Sequence, residues 1–352
     1  MSDRGQLQNR VRRFRQQCGW SQEELARQTG ISRAAVSAIE IQRLVPSVAT
    51  ALALAKAFDC TVEDLFGADC GQTINEPWAW LPTCDPCRFW RASVAGRIIR
   101  FPVETTVAGM LPHDCVLNRG ATQIIRDVNP EKTLVMASCD PAAGLLALEY
   151  ERVTGFRLLP LHRSSRDALE LLHQGLVHVA GIHLATAENE MGNAQAAKTI
   201  LGDGFSLLRF ATWDEGLAVK PSVSKLTANG VVRSNLKWIG REPGAGARQC
   251  QDEILGDRRE PRRFAKDHRG VAEAIRCGWA DVGVCLRLVS DQAGLGFIHV
   301  RNEAFDLCFS ASIEADLRVK KLIDLLRSPA IQTLFESLPG YQLSRSIECR
   351  RI

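Results

Sequence analysis

Three short stretches carry side chains able to hold a small charged molecule. Ser138, Cys139 and Asp140 follow the apolar run Thr133–Ala137, Ser164 and Ser165 follow Phe156–Leu161, and His183 follows Val177–Ile182. Each polar group thus stands where a buried strand should end, the place where loop hydroxyls and helix-start N–H groups meet a ligand. A fourth stretch, Gly244, Ala245, Gly246 and Arg248 within REPGAGAR, adds a glycine loop feeding a helix and a guanidinium suited to bidentate contact with a carboxylate or oxyanion. The set favours a small anion. Each residue also has a structural reading, with Asp140 and Ser165 as helix caps and His183 as a satisfied core histidine. A triad of Ser138, His162 or His183, and Asp140 lacks any supporting GxSxG, HExxH or P-loop, so binding without catalysis or a cofactor is expected.

A rival chemistry rests on Cys84 and Cys87, a CxxC, followed by His113 and Cys115, an HxC. Zinc needs four N or S ligands in a tetrahedron, and this set offers them, which leaves a metal- or redox-responsive protein as the alternative. The twelve cysteines are otherwise scattered through a long chain and read as reduced thiols packed like small apolar residues.

Positioning these groups requires more than one core. The chain has 352 residues, 45% hydrophobic and 24% charged, enough for two or three domains. From about Gly120, strands and helices alternate. Thr133–Ala137, a helix over Ala142–Val153, Phe156–Leu161, a helix over Arg166–Gln174 and Val177–Ile182 make a βαβαβ unit with parallel strands. A second α/β portion has strands expected at Phe205–Phe210, Gly216–Val219, Leu236–Ile239, Ala280–Cys285, Gly296–Val300 and Asp306–Ser310. Two closing helices follow. Between 68 and 119, prolines, glycines and short apolar runs read as a linker and a small β unit serving as a spacer or dimer surface.

The N-terminal stretch Ser21–Glu40 reads as two short helices. Leu25 and Ala26, then Ile31, Val36 and Ile39, recur at helical steps; Ser21 and Ser32 precede each helix as caps, and Gly30 supplies the turn. Arg33, Ala34 and Ser37 point outward on the second helix. Residues 1–45 hold eight arginines against four acids, while the whole chain nets only +4, so the basic excess lies where DNA phosphates would be.

With the flanking helices Leu7–Gln17, Ser47–Phe58 and Val62–Phe66, residues 7–67 resemble a Cro/C1-type repressor domain of the XRE family, with Arg15, Gln22, Ala26, Gly30, Val36 and Glu40 at that family's spacing. The resemblance implies an Arg15–Glu40 ion pair, a phosphate contact at Gln22, and base reading by Arg33, Ala34 and Ser37, with Ser32 at the same helix start and Arg43 beyond it on the backbone. From about Gly120 to Tyr341, SCDP (138–141), GLVHVAGIHL (175–184), GAGAR (244–248), VAEAIRCGWADVG (271–283) and GLGFIHV (294–300) resemble the type II periplasmic-binding-protein-like domain of LysR-class and molybdate-binding proteins. That implies two hinged lobes closing on a ligand such as molybdate, tungstate or a small organic acid. Relatives usually carry a serine and a threonine where this chain has Ala245 and Ala247.

The expectation is a multidomain chain: an all-α helix-turn-helix domain (1–67), a linker with a small β-rich unit (68–119), an α/β two-lobed ligand-binding domain (120–343) and a tail (344–352). Its partners would be double-stranded operator DNA, bound as a homodimer or higher even oligomer, and a small anionic effector. No run of eighteen apolar residues and no apolar signal core at the start point to the cytoplasm without membrane contact.

Overall fold

A computed structural model describes residues 9–66, 76–106, 108–186, 191–256, 260–344 and 347–352. Parts of the linker (67–75) and of the basic stretch (257–259) lie outside them. The chain divides into two compact units, one with residues up to 75, 82–88 and 115–126, the other with 76–81, 89–114 and 127–352. The segment expected as a separate β unit is shared between the two.

The first unit holds five helices, α1 (Val11–Gln17), α2 (Gln22–Thr29), α3 (Arg33–Glu40), α4 (Val48–Phe58) and α5 (Val62–Phe66). Ser21 and Ser32 accept hydrogen bonds from the Glu24 and Ala35 amides, both 3.1 Å, so each hydroxyl satisfies one amide of the first helical turn. Gly30 closes α2 at φ 70°, a conformation that costs glycine little. One apolar stripe per helix meets in a core of Val11, Leu25, Val36, Ile39, Leu54, Phe58 and Leu65. Arg15 Nε donates to Glu40 Oε1 at 2.6 Å and Gln22 Nε2 to Glu40 Oε2 at 2.9 Å, tying α1 and α2 to the end of α3.

In the second unit a hairpin comes first, β1 (Cys87–Val94) paired antiparallel with β2 (Arg97–Pro102); the short pair β3 (Cys115–Asn118) and β4 (Ala121–Ile124) falls to the first unit. The hairpin is core. Trp90, Ala92, Val94, Ile99 and Phe101 are buried in one cluster with Leu159, Leu169 and Ile182 of the α/β fold. Arg157 ties the hairpin down, donating to Asp114 (2.6 Å) and to the Arg91 carbonyl (2.9 Å).

The α/β chain then runs β5 (Thr133–Ser138), α6 (Ala143–Thr154), β6 (Arg157–His162), α7 (Ser165–His173), β7 (Val179–Thr186), α8 (Gly192–Leu201) and β8 (Phe205–Val219). It continues through α9 (Ala228–Arg233), β9 (Gly240–Arg241), α10 (Gly246–Leu255), β10 (Phe264–Ala265), α11 (His268–Arg276), β11 (Val282–Leu286), α12 (Arg287–Gln292) and β12 (Gly296–Ser310). Last come α13 (Leu317–Arg327), α14 (Pro329–Glu336), β13 (Tyr341–Leu343) and β14 (Cys349–Arg351). The main sheet has the order β11-β8-β12-β7-β5-β6, with β5 parallel to β6 and β7. Both faces of β5 are covered. Leu134 and Met136 enter one cluster and Val135 and Ala137 the other, the period-two division of a doubly buried strand.

The chief departure from the expected elements is at β8 and β12. Each was expected as two short strands, and each is one continuous strand of 15 residues; the two pair antiparallel along their length. β7, β13 and β14 flank one half of this ribbon and β11 the other, so it is the double connection between two lobes. Residues 344–352, expected as a tail, supply β14. Leu236–Ile239, expected as a strand, gives way to β9, which pairs in parallel with β10.

Replacing Glu40 by Gln tests the brace of the first unit. Burial alone would raise the Glu40 carboxyl, but hydrogen bonds from Arg15 and Gln22 outweigh it and lower the pKa from 4.5. Its contribution is therefore present above that value and lost as pH falls through the lowered one. Hydrogen exchange at α3 amides should show opening easier by about 1.5–3 kcal/mol at neutral pH, with variant and wild type converging in acid.

Candidate functional site

The ends of β5 and β6 bring Ser138, Cys139, Asp140, Ser164 and Ser165 beside His183, which was expected in a loop but lies within β7 because that strand runs on to Thr186; most of their polar atoms hold the backbone itself. Ser138 Oγ accepts from the Asp140 amide (3.1 Å), and Asp140 Oδ1 accepts from the Ala142 amide (2.8 Å) and the Tyr341 hydroxyl (2.5 Å). Ser164 caps α7 through the Asp167 amide (3.2 Å), and Ser165 Oγ accepts from the His183 amide (3.1 Å). Gly181 makes room for this arrangement, since a Cβ there would lie 2.6 Å from Ser138 Oγ.

His183, fully buried, is the hub. Its Nε2 lies 3.0 Å from Cys139 Sγ and its Nδ1 2.6 Å from Glu303 Oε2. Burial would drive the ring neutral, yet Cys139 and Glu303 overcome it and raise its pKa well above 6.5. Burial likewise opposes ionisation of Glu303, and His183 and Arg301 pull it down to about 2. At neutral pH the pair is an imidazolium on a carboxylate. Arg301 extends the chain, donating to Glu303 (3.1 Å), to Glu215 on the facing strand (3.2 Å) and to Glu253 on α10 (2.6 Å). Burial and the charge of Glu303 push Glu215 well above the carboxylate range, so it stays a neutral acid.

The second lobe closes on this hub. Gly246, the first residue of α10, approaches so closely that a Cβ would lie 2.2 Å from the His183 carbonyl oxygen and 2.6 Å from its ring. Beside it Arg241 is buried at 1% exposure, with Nε and Nη1 lacking any hydrogen-bond partner. Its backbone amide donates to Gln251 Oε1 (2.9 Å), while the Gln251 Nε2 is itself unpartnered. His268, 6.3 Å from His183 between ring centres, has no partner on either nitrogen, and neither has His162 Nε2 nor Trp213 Nε1. Burial first, then Arg241, His183 and His162, hold His268 far below 6.5; burial lowers His162 too, against the opposing charge of Asp267. Among these groups Arg241, Gln251 and Trp213 leave N–H donors unmatched, neutral His268 leaves one donor and one acceptor nitrogen, and Glu215 Oε1 is also unmatched.

Arg248, the guanidinium singled out in the sequence, is not among them. Its nitrogens are taken by Asp252 (2.7 Å), the Arg241 carbonyl (3.1 Å) and Glu260 (2.5 Å). It lines a cavity of about 430 Å³ with Gly244, Ala245, Arg166 and the acids Asp252 and Glu253. The buried arginine is Arg241, seven residues earlier. Nothing in its local sequence separates the two, except that Asp252, one turn beyond Arg248 on the same helix, marks Arg248 as pre-paired.

Among the described residues, the set of potential metal ligands that converges within 4.8 Å is His183, Glu215 and Glu303. Arg301 already supplies the cation between its two carboxylates, which disfavours a metal there. Cys84, Cys87, His113 and Cys115 form no such set; Cys84 is exposed and Cys87 and Cys115 are buried.

On the first unit, Arg33 and Ala34 are exposed at the start of α3, Ser37 is half-buried one turn on, and Arg43 is exposed just past the helix. Ser32 is occupied as the cap and Gln22 by Glu40. Arg33 is held only loosely, 3.7 Å from the exposed Glu23.

The model of the PBP superfamily domain matches residues 147–327, and a helix-turn-helix family model matches 11–65. The uncharacterized protein YvgK of Bacillus subtilis is 25% identical over 234 residues, 63% of this chain and 75% of that protein. The uncharacterized HTH-type transcriptional regulator YgzD, also of B. subtilis, is 42% identical over 60 residues, 17% of this chain and 91% of its own. A solved putative phosphate ABC transporter substrate-binding protein with bound phosphate, from Clostridium perfringens, is 12% identical with a TM-score of 0.48, covering 60% of this chain and 100% of that one. No described helix is long and apolar enough to cross a membrane. The first family match spans just over half of the sequence: the chain belongs to the PBP superfamily domain family and is a transcription regulator in which that domain is fused to an N-terminal helix-turn-helix of the XRE type.

Proposed function

We propose that the regulator binds a roughly two-fold symmetric operator as a dimer through α3, and that a small anion seated between its lobes on Arg241 sets its affinity for DNA. The observation that carries the ligand reading is the imbalance at the lobe boundary: buried N–H groups of Arg241, Gln251 and Trp213 without acceptors, beside His268 with both ring nitrogens unpartnered. A buried donor left unmatched costs about 1–3 kcal/mol, more when charged, and a compact anion satisfies several at once. Electrostatics agree, since Glu215 is held neutral while Arg241, Arg301 and His183 are cationic. One recognition helix reads few base pairs, and pairing doubles the contacts.

A thermal-shift series with phosphate, molybdate and small carboxylates tests the ligand reading. At one hundred times its dissociation constant a bound anion stabilises the domain by about 2.7 kcal/mol. Arg241→Ala should abolish that gain, whereas Arg248→Ala should leave most of it. Equal loss in both variants, or no stabilising anion, would overturn the assignment.

Gly246→Ala places a methyl group against His183 and should keep the lobes from closing while each lobe folds. The expected result is DNA binding that no longer responds to an anion active on the wild type, measured by operator titration. For the DNA face, Arg33→Ala should relax sequence preference by about 1–3 kcal/mol at one base pair in a binding selection, and Arg43→Ala should weaken binding evenly across sequences and reduce its salt dependence.

A further inference from the structure

Cys139, His183 and Glu303 stand in line at the lobe boundary, thiol to imidazole at 3.0 Å and imidazole to carboxylate at 2.6 Å. A nucleophile, a base and a group orienting the base have this connectivity. Glu303 is itself fixed by Arg301 at 3.1 Å, so the imidazole is presented to the sulfur in one orientation. Burial pushes the Cys285 and Cys308 thiols up to about 12 and Cys250 higher still, which makes them inert. Two independent features mark the surroundings of the ring that touches Cys139 as a ligand site. The helix start at Gly246 packs against the ring that touches its sulfur, and His268, fully buried with both nitrogens unpartnered, lies 6.3 Å from that ring.

We propose that Cys139 is a nucleophile that bonds reversibly to the anion, whose class is then a small carboxylate carrying an aldehyde or ketone carbon. This rests on the anion reading of the same cleft. The proton shared by Cys139 Sγ and His183 Nε2 sits on the imidazolium, and the sulfur lone pair forms an S–C bond to the carbonyl carbon as the C=O π pair moves onto oxygen. The imidazolium, balanced by Glu303, returns the proton to that oxygen. The product is a hemithioacetal or hemithioketal whose new hydroxyl is uncharged and whose carboxylate keeps its charge; nothing is oxidised, nothing leaves, and the reverse steps release the ligand. A tetrahedral oxyanion such as phosphate offers the sulfur no carbon to attack, so the thiol divides the two ligand classes.

The experiment uses the full chain and two alkylating probes, anionic iodoacetate and neutral iodoacetamide, with peptide mass spectrometry reading each cysteine. Exposed Cys18, Cys84 and Cys277 are internal references. Cys139 should prefer iodoacetate about tenfold more than the references do, and glyoxylate should protect it. His183→Gln should slow its alkylation about a hundredfold, the scale of a lost general base. Glyoxylate labelled with carbon-13 at its aldehyde carbon should give a protein-bound tetrahedral carbon signal in the wild type that is absent from Cys139→Ser. Alkylation of Cys139 no faster than the references, or no such signal, overturns the nucleophile; if phosphate still stabilises the wild type and not Arg241→Ala, the anion reading survives alone. If glyoxylate and phosphate both fail to protect or stabilise, the anion reading falls with it.

Discussion

The charge chain on the paired strands β8 and β12 is the constraint on which the ligand-binding domain depends. Arg301 and Glu303 belong to β12, Glu215 to β8, and His183 to β7, and all four are buried. Removing such charges from water is costly unless each is paired, so the chain holds only in the geometry that matches every partner. The register of the two strands shifts between His299 and Arg301, and this shift places Arg301 opposite Glu215 where the ribbon passes from one lobe to the other. From there Arg301 reaches Glu253 on α10 of the second lobe while Glu303 reaches His183 of the first. The lobes are thus joined by the backbone ribbon and by a line of ion pairs running along it.

Much of the fold was legible in the sequence. The caps at Ser21 and Ser32, the glycine at 30 and the stripe Leu25, Val36, Ile39 are local signals, and the helices follow from them. The βαβαβ unit was legible for the same reason, because β5, β6 and β7 are apolar runs separated by amphipathic helices. The ribbon was not. Ala211–Glu215 (ATWDE) interrupts the apolar run of β8 with polar residues, which in a sequence marks a loop and in the fold marks the buried charge chain. Strands were legible at β1–β2, but their place in the core was not: their burial comes from packing on a sheet more than thirty residues further along the chain.

The site was legible only by halves. The end of β5 marks Ser138, Cys139 and Asp140 as candidates because strand ends in an α/β fold point one way, and His183 stands out as the polar residue in the apolar run of β7. Glu215, Glu303, Arg241 and His268 come from a two-residue strand, the middle of two hinge strands and a helix start beside a basic stretch, and no spacing links them. Arg248 drew attention by following a glycine loop. Its acid one turn on the same helix was the clue that it would be spent locally.

The burial of Arg241 bears on how a ligand can act as a signal. A ligand shifts an equilibrium only by the difference in its affinity for two arrangements, and tight binding alone moves nothing. With the lobes apart, water serves the donors of Arg241, His268 and Gln251 equally well whether or not an anion is near. With the lobes together, the same donors lie where water has been excluded and the protein supplies no acceptor. On the proposed reading the anion is therefore worth far more to the closed arrangement than to the open one, because in the first it replaces missing bonds and in the second it only displaces water. Arg248 offers no such contrast, since Asp252 and Glu260 accompany it in either arrangement. On that reading the residue that would make the cleft a switch is the one whose partner the chain does not provide.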